Sequence, residues 1–255
     1  MLKIIYRICD QRNGATKIPR VSKRQCFLNF IEVFGTDDMI IVADNCGNET
    51  IEFLNCFTTC VEKTSLGNSG SFLYAMDLAL QFKGDQSVYL VEDDYLHQPD
   101  SSRFLMEGLQ RADYVSLYDH ADKYSVQSPN PMVSNGGENT KVILTPSSHW
   151  KYTNSTTMTF ATRSGILKAD QEIFRKFCAN PVPADFFIFR TLAERGRTLA
   201  TPIPGRSTHC DGYPSPFIFN SPFPFKPEPG LRQGIAHVRE TCANPIALES
   251  ERKLG

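Results

Sequence analysis

Short apolar runs separated by amphipathic stretches fill the first 120 residues of the chain. Most of these runs are continuous and rich in β-branched and aromatic residues, which is typical of strands buried on both faces of a sheet. We predict strands at residues 2–8, 39–43, 60–63, 87–91 and 114–118.

Helical spacing of apolar residues occupies the intervals between these strands. Ser22 and Gln25 stand at capping-box spacing, and a run of phenylalanines on one helical face follows until Gly35. Further helices are predicted at about residues 49–57, 68–80 and 99–111. The alternation of strands and helices predicts βαβ units and a mostly parallel sheet that is covered by helices on both faces.

After residue 120 the pattern is less regular. Residues 125–140 are rich in turn-forming residues and predict a loop. We predict strands at 141–144 and 156–161 and a helix at 185–194. Residues 213–230 are rich in Pro and Phe, which excludes a regular helix and is too apolar for a free linker. We interpret them as an irregular strap over the core or a lid beside a site.

The charge balance narrows the function classes. The 255 residues carry 27 Lys and Arg against 28 Asp and Glu, so the basic excess typical of nucleic-acid-binding proteins is missing. No apolar run reaches the roughly 18 residues of a membrane span, and Arg7 and Asp10 come too early for a signal peptide. The eight cysteines form no Cys-x-x-Cys pair, which favours free thiols. We expect a cytoplasmic protein, with peripheral membrane contact left open.

Three consecutive carboxylates, Glu92, Asp93 and Asp94, follow the strand predicted at 87–91. Ligands of open α/β sheets bind outside the carboxyl ends of the strands, where this cluster falls. Alternation along an extended chain places Glu92 and Asp94 on one side and Asp93 on the other. Because neighbouring anions repel, a hard cation such as Mg²⁺ or Mn²⁺, shared with substrate phosphates, would stabilise the cluster. The alternative is an acidic loop that ends a strand in water.

His209 is a second candidate metal ligand. A single histidine is more often a packed or surface residue, and the neighbouring Cys210 and Asp211 do not complete a zinc pattern. The metal hypothesis for His209 therefore depends on whether the fold returns its loop to the acidic cluster.

The strand that ends in these three acids resembles the DxD-type motif of GT-A glycosyltransferases. The stretch VEDDYLHQPDSSRF is similar to the acidic motif of inverting N-acetylglucosaminyltransferases, and SLGNSGSF and PADFF occur in a matching order. The resemblance spans residues 2–210. It implies a single GT-A-like, Rossmann-like α/β domain with a mostly parallel central sheet flanked by helices. Within it, residues 1–120 would form the nucleotide-binding half, 121–212 the acceptor and catalytic half, and 213–255 an irregular C-terminal strap.

The resemblance also implies the reaction partners. The donor would be a nucleotide-diphosphate sugar, a UDP- or GDP-sugar, and the acceptor a saccharide or another hydroxyl compound. Asp94, with His209 as a further ligand, would hold Mn²⁺ or Mg²⁺ against the donor diphosphate. Glu92 and Asp93 would reach the ribose or the base.

Further donor contacts are implied at the ends of the first two strands and at the third helix. Asp44 would accept a hydrogen bond from the base, and Arg7 and Asp10 would flank the base pocket. Asn68 and Gly70 would let the helix start approach the nucleotide, because helix N-termini attract anions. An ordinary helix cap explains Asn68 equally well.

Asp185 stands where the resembling enzymes keep their general base. Inverting transfer needs a carboxylate that takes the proton of the attacking acceptor hydroxyl. The acidic pair common in this position is Ala184-Asp185 here. A helix N-cap is the other interpretation of Asp185, and a retaining enzyme would not need this base.

Two other functions remain in competition with the glycosyltransferase. A sugar-nucleotide pyrophosphorylase shares the strand order, but it normally has a Gly-rich loop after the first strand, where this chain has only Gly14. A non-catalytic module that binds nucleotide sugars is the third hypothesis. Retention of the three acids together with Asp185 and His209 favours a catalytic protein.

Overall fold

The structure of the protein is a computed structural model, and it describes residues 1–10 and 21–210. The predicted strap at 213–230, within the segment 213–255, lies outside the described residues. The strands are β1 (Leu2–Cys9), β2 (Met39–Asp44), β3 (Val61–Thr64), β4 (Ser87–Glu92), β5 (Tyr95–His97), β6 (Tyr114–Val115), β7 (Val133–Ser134), β8 (Gly137–Glu138), β9 (Val142–Leu144), β10 (His149–Thr153), β11 (Phe160–Arg163), β12 (Leu199–Ile203) and β13 (Ser207–His209). The helices are α1 (Lys23–Phe34), α2 (Asn48–Asn55), α3 (Gly67–Ala79), α4 (Ser101–Leu109), α5 (Ser164–Phe177) and α6 (Asp185–Glu194).

Within these residues a nine-stranded sheet has the order β3-β2-β1-β4-β11-β6-β12-β10-β9. The strands β3, β2, β1 and β4 are parallel neighbours, while β11 and β10 run against the others. The chain passes from β1 to β2 on one side and later reaches β4 on the other side of β1. This reversal is the position where open α/β sheets form a ligand crevice. The predicted mostly parallel α/β sheet is confirmed.

Helices cover both faces of the sheet, each above its own hydrophobic core. Side chains of α1, α2 and α4 pack in one core, and those of α3, α5 and α6 pack in the other. The predicted capping box begins α1: Ser22 Oγ accepts from the Gln25 amide, and the Gln25 side chain accepts from the Ser22 amide. The predicted halves 1–120 and 121–212 both contribute strands to the nine-stranded sheet.

The regular first half agrees closely with the predicted elements, and the second half less so. The helix predicted at 185–194 forms as α6, and the strand predicted at 156–161 forms later, as β11. The predicted loop at 125–140 contains the paired short strands β7 and β8, and α5, β10, β12 and β13 were not predicted. Trp150, in the middle of β10, is fully buried and donates from its indole N–H to Thr145 Oγ1. Gly108 of α4 packs on its ring so closely that a Cβ would lie 2.7 Å from Trp150 Cη2.

Candidate functional site

A cavity of about 500 Å³ opens at the carboxyl ends of β1, β2 and β4. Parallel neighbours end at the same edge of a sheet, so residues far apart in sequence meet there. Its walls come from these strand ends, the starts of α1 and α3, the segment before β11, the loop before α6 with the first residue of that helix, and β13. The lining residues are Arg7, Ile8, Cys9, Lys23, Asp44, Asn45, Gly67, Asn68, Ser71, Glu92, Asp93, Asp94, Thr157, Met158, Val182, Pro183, Asp185 and His209.

Asp94 and His209 meet inside this cavity. Strand β13 pairs antiparallel with β5, with His209 opposite Tyr95, and the Cys210 amide donates to the Asp94 carbonyl. His209 Nε2 lies 2.9 Å from Asp94 Oδ2, and the imidazole stacks on the Tyr95 ring at 4.8 Å. The fold therefore places His209 beside the acidic cluster, as a metal site shared by His209 and Asp94 requires.

Glu92 forms a buried ion pair with Arg7, its neighbour across the β1–β4 register. Arg7 Nη2 donates to Glu92 Oε1 at 2.8 Å, and Nη1 donates to the Asn68 carbonyl and to Ser71 Oγ. Burial raises the pKa of Glu92, and the Arg7 charge opposes that rise. Arg7 thus joins the floor of the cavity to the first turn of α3.

Asp93 points toward β1 and α1. Its Oδ2 accepts from the Cys9 amide at 2.8 Å and pairs with Lys23 Nζ at 3.0 Å. Burial raises the pKa of Asp93 to about 7, although the Lys23 charge and the Cys9 hydrogen bond act in the opposite direction. Asp93 therefore holds a different set of partners from Glu92 and Asp94. The predicted alternation assumed an extended chain, but β4 ends at Glu92, residues 93 and 94 form a turn, and all three side chains line the cavity.

Asp44 and Asp10 accept hydrogen bonds that hold neighbouring segments of the chain in place beside the cavity. Asp44 accepts four hydrogen bonds, from the side chains of Asn45 and Thr64 and from the amides of residues 66 and 67. Asp10 accepts from the Gly47 amide and the Thr50 hydroxyl, at 2.7 Å each, at the start of α2. Asp44 lines the cavity and Asp10 does not. Contact of either with a base stays a prediction.

The start of α3 faces the cavity through Gly67 and Asn68 rather than Gly70. Gly67 has φ +73°, a conformation that favours glycine, and its amide reaches Asp44. A Cβ on Gly70 would lie 2.8 Å from Leu66 Cβ, so packing at the helix start explains that glycine. The predicted nucleotide contacts of Asn68 and Gly70 stay predictions.

Asp185 is the first residue of α6 and lines the cavity beside apolar residues of the preceding loop. Its Oδ1 accepts from the Phe186 amide at 2.6 Å. Burial raises the pKa of Asp185, while that hydrogen bond and the charges of His120 and His209 lower it. A carboxylate with a raised pKa is a better proton acceptor than an exposed one.

Sequence reasoning missed several lining residues. Lys23 carries no local feature that distinguishes it from a surface lysine, and its role follows only from the packing of α1 beside Asp93. Met158 stands in the strand predicted at 156–161, where no local feature indicates a cavity residue, and Val182 stands in a segment with no strand or helix periodicity. Three-dimensional proximity was needed to find them.

A divalent cation fits the pair formed by Asp94 and His209. Asp94 Oδ1 is buried and has no hydrogen-bond partner among the described residues, so it has an oxygen available for a ligand. An imidazole nitrogen and a carboxylate oxygen suit Mn²⁺ better than Mg²⁺, which prefers oxygen ligands and keeps its waters. No cluster of three or more His, Cys, Asp or Glu able to hold a metal occurs in the described ranges. The remaining ligands would therefore come from substrate and water.

Comparisons with known proteins identify the fold. No known family profile matches the sequence, and no curated protein matches it. The structure of GalNAc-T7 with UDP, GalNAc and Mn²⁺ is similar with a TM-score of 0.53 and 10% identity over 84% of this chain. This chain spans 43% of the GalNAc-T7 chain.

A second similar structure is a protein from Bacillus anthracis assigned as a glucose-1-phosphate thymidylyltransferase, in complex with sucrose. Its TM-score is 0.51 at 15% identity, with 84% of this chain and 91% of that chain covered.

In the described part, no helix has the length and apolar character to cross a membrane. The chain therefore shares the mixed α/β fold of these two structures, with a mostly parallel central sheet flanked by helices, which confirms the predicted fold class.

Proposed function

We propose that this protein is a metal-dependent glycosyltransferase that moves a sugar from a UDP- or GDP-sugar to a hydroxyl acceptor, with inversion at the anomeric carbon. The observation that carries the proposal is the Asp94–His209 pair, with its unpartnered carboxylate oxygen, inside the cavity at the strand reversal. The similar fold of GalNAc-T7, crystallised with UDP, GalNAc and Mn²⁺, supports it.

The charge of the cavity explains why a cation is needed. Asp44, Asp185 and the three acids at 92–94 line it, against only Arg7 and Lys23 as permanent cations among its described residues. Both cations are already paired, Arg7 with Glu92 and Lys23 with Asp93. An anionic diphosphate would be repelled from such a cavity unless a further positive charge is present.

The residues of this chain divide the reaction between them. Asp94 and His209 would hold Mn²⁺, or Mg²⁺ more weakly, and the bound cation would neutralise charge on the leaving diphosphate. Arg7 fixes Glu92 and the first turn of α3 on the donor side. Asp185 would take the proton from the acceptor hydroxyl as its oxygen bonds to the anomeric carbon and the bond from that carbon to the diphosphate oxygen breaks. The products are the glycosylated acceptor, the nucleoside diphosphate and protonated Asp185.

A panel of sugar nucleotides with Mn²⁺ tests this function, because a transferase slowly hydrolyses its own donor in the absence of an acceptor. We expect one donor to yield free sugar and nucleoside diphosphate, and Asp94→Ala to abolish the reaction. Asp77→Ala is the matched control, since Asp77 is exposed and pairs with Arg175 on the surface. Failure of every donor, or retained turnover in Asp94→Ala, contradicts the proposal.

The same assay separates the two alternatives. The likeness to the B. anthracis protein keeps a pyrophosphorylase under consideration. Such an enzyme would need added pyrophosphate and would release a nucleoside triphosphate and a sugar 1-phosphate. A binding module would respond to nucleotide with Mn²⁺ by a higher melting temperature and would never turn over.

A further inference from the structure

Two buried thiols meet where α1 lies beside the paired strands β5 and β13. Cys26 Sγ, on α1, lies 3.9 Å from Sγ of Cys210, which directly follows β13, and each residue is 1% exposed. Both are free thiols. Together with Leu96 of β5 they form a small buried cluster apart from the two main cores. The two cysteines are 184 residues apart in the sequence, so only the fold brings them together.

Each thiol is close in sequence to a side chain that lines the cavity. Cys210 follows His209, and the Cys210 amide donates to the Asp94 carbonyl at 2.7 Å. Cys26 lies three residues after Lys23, which is about one helical turn, and Lys23 also lines the cavity. A covalent bond between the two sulfurs would therefore join the segment that carries His209 to the helix that carries Lys23.

Strand β13 has little pairing of its own to fix its position. Its three residues pair with the three residues of β5 in a two-stranded sheet that is separate from the nine-stranded one, and a bridge joins Ser207 to Tyr118. A two-stranded pair is marginally stable unless it packs against other elements. The position of His209 therefore depends on how firmly this pair is attached to α1.

We propose that Cys26 and Cys210 are a redox-sensitive pair, whose disulfide attaches the end of β13 to α1 and holds His209 against Asp94. The effect on His209 rests on the metal-dependent function proposed above, whereas formation of the disulfide does not. A disulfide needs about 2.05 Å between its sulfurs. Starting from the present contact, each sulfur has to move by only about 1 Å.

Hydrogen peroxide is an oxidant that balances the reaction. The sulfur of one thiol attacks the peroxide, so that an S–O bond forms, the O–O bond breaks and one water leaves. The second sulfur then displaces the oxygen of this sulfenic acid, so that the S–S bond forms, the S–O bond breaks and a second water leaves. Each thiol loses one electron, and both peroxide oxygens end as water. Because both cysteines are 1% exposed, the peroxide reaches them only when β13 separates briefly from α1.

Peroxide treatment of the full chain tests whether the disulfide forms. The treated protein is denatured in excess N-ethylmaleimide, which blocks the remaining thiols, and linked peptides are identified by mass spectrometry. Trypsin and chymotrypsin together cut after Arg24 and Phe27, which separates Cys26 from the other cysteines. We expect a linked pair that contains Cys26 and Cys210. Absence of this pair, or linkage of other cysteines alone, overturns the inference.

The disulfide should raise the Tm by about 5–15 °C, because it closes a long loop in the unfolded chain. Dithiothreitol should reverse the rise, and Cys26→Ser should abolish it. The matched control is Cys178→Ser, which should keep the rise, since Cys178 is a buried thiol in the core of the α3, α5 and α6 layer. Each shift compares the oxidised and reduced forms of one variant, so a lower stability of that variant does not affect it. An unchanged Tm in the oxidised wild type overturns the attachment of β13.

The effect on His209 is tested with Mn²⁺ and the donor found in the sugar-nucleotide panel. A disulfide that holds His209 opposite Asp94 prearranges the cation site, which reduces the cost of binding. The half-saturating Mn²⁺ concentration for donor hydrolysis should therefore fall severalfold on oxidation of the wild type, and not in Cys26→Ser. Equal Mn²⁺ requirements of the oxidised and reduced wild type overturn the effect on His209. Absence of hydrolysis in both forms contradicts the transferase, and the linked peptide and the Tm still decide the disulfide.

Discussion

Replacing Arg7 by Met should destabilise the protein strongly, because it leaves the half-buried carboxylate of Glu92 without its counter-charge. Arg7 is 7% exposed and pairs with Glu92 at 2.8 Å. Removal of one partner of a buried pair costs about 3–5 kcal/mol. The Glu92 side chain is 21% exposed, so we expect the lower end, about 3 kcal/mol. For a chain of this size that corresponds to a fall in Tm of about 6–12 °C.

The loss should also grow with pH. Burial raises the pKa of Glu92, Asp94 and Asp185 add to that rise, and the charges of Arg7 and His209 oppose it. Without Arg7 the pKa of Glu92 rises further. A carboxyl group with a higher pKa in the folded than in the unfolded state binds more protons when folded, so stability is lost as pH rises through the folded pKa. The deficit of Arg7→Met should therefore be smaller at about pH 5 than at about pH 8.

Urea unfolding at both pH values measures these free energies. The double variant Arg7→Met/Glu92→Gln should lose the extra pH dependence of the single variant, because the carboxylate that lost its counter-charge is no longer present. Arg175→Met is the control: its partner Asp77 is exposed, and such a pair contributes at most about 1 kcal/mol. An equal deficit at the two pH values, or a double variant as pH-dependent as the single one, would refute the assigned role of Arg7.

Three further predictions follow from the site and the core. UDP or GDP should raise the Tm only with Mn²⁺ or Mg²⁺ present, and not at all in Asp94→Asn; an equal shift without metal contradicts the metal site. Asp185→Asn should lower the transfer rate about 10²–10⁴-fold and keep the metal-dependent Tm shift. In the wild type, the pKa read from the acid limb of the kcat–pH profile should lie above the ordinary range of Asp, because burial raises the pKa of Asp185. Loss of nucleotide binding in Asp185→Asn would contradict the role of Asp185 as a base. Gly108→Ala should lower the free energy of unfolding in urea by about 1–2 kcal/mol, because its Cβ would overlap with Trp150. The control Gly137→Ala should lower it less, because a Cβ there meets nothing within 4 Å. Equal losses in the two variants would contradict the packing of Gly108 on Trp150.

The first half of the fold could be predicted because its local patterns agree with its tertiary environment. The runs that became β1, β2 and β4 are mainly apolar, as is typical of parallel strands covered on both faces. The capping box at Ser22 and Gln25 is local, and it began α1 where the spacing placed it.

The second half could not be predicted in the same way, because non-local contacts decide it. Strand β10 contains Lys151, whose buried ammonium is neutralised by Asp119 and Glu138 at 2.9 and 3.0 Å. Nothing near Lys151 in the sequence indicates those partners. In contrast, α5 has apolar residues at helical spacing, including Leu167, Ile173 and Phe174, and a fuller count of the periodicity would have found it.

For the candidate site, the sequence identified the acids at 92–94, Asp185 and His209, and the structure brings all of them to one cavity. The partners that tune them could not be read from the sequence. Arg7 reaches Glu92 across a parallel register, and Lys23 reaches Asp93 from a helix. Such pairings depend on strand order, which local patterns do not specify.

The contact between Asp94 and His209 joins positions separated by 115 residues. During synthesis, β1 to β4 can fold together soon after residue 92 has left the ribosome, whereas the partner of Asp94 emerges only when translation has passed residue 209. A nascent chain can therefore complete the floor of this cavity well before the Asp94–His209 contact can form. A chain cut short before β13 would leave Asp94 without His209, whereas Glu92 and Asp93 would still have Arg7 and Lys23 as partners.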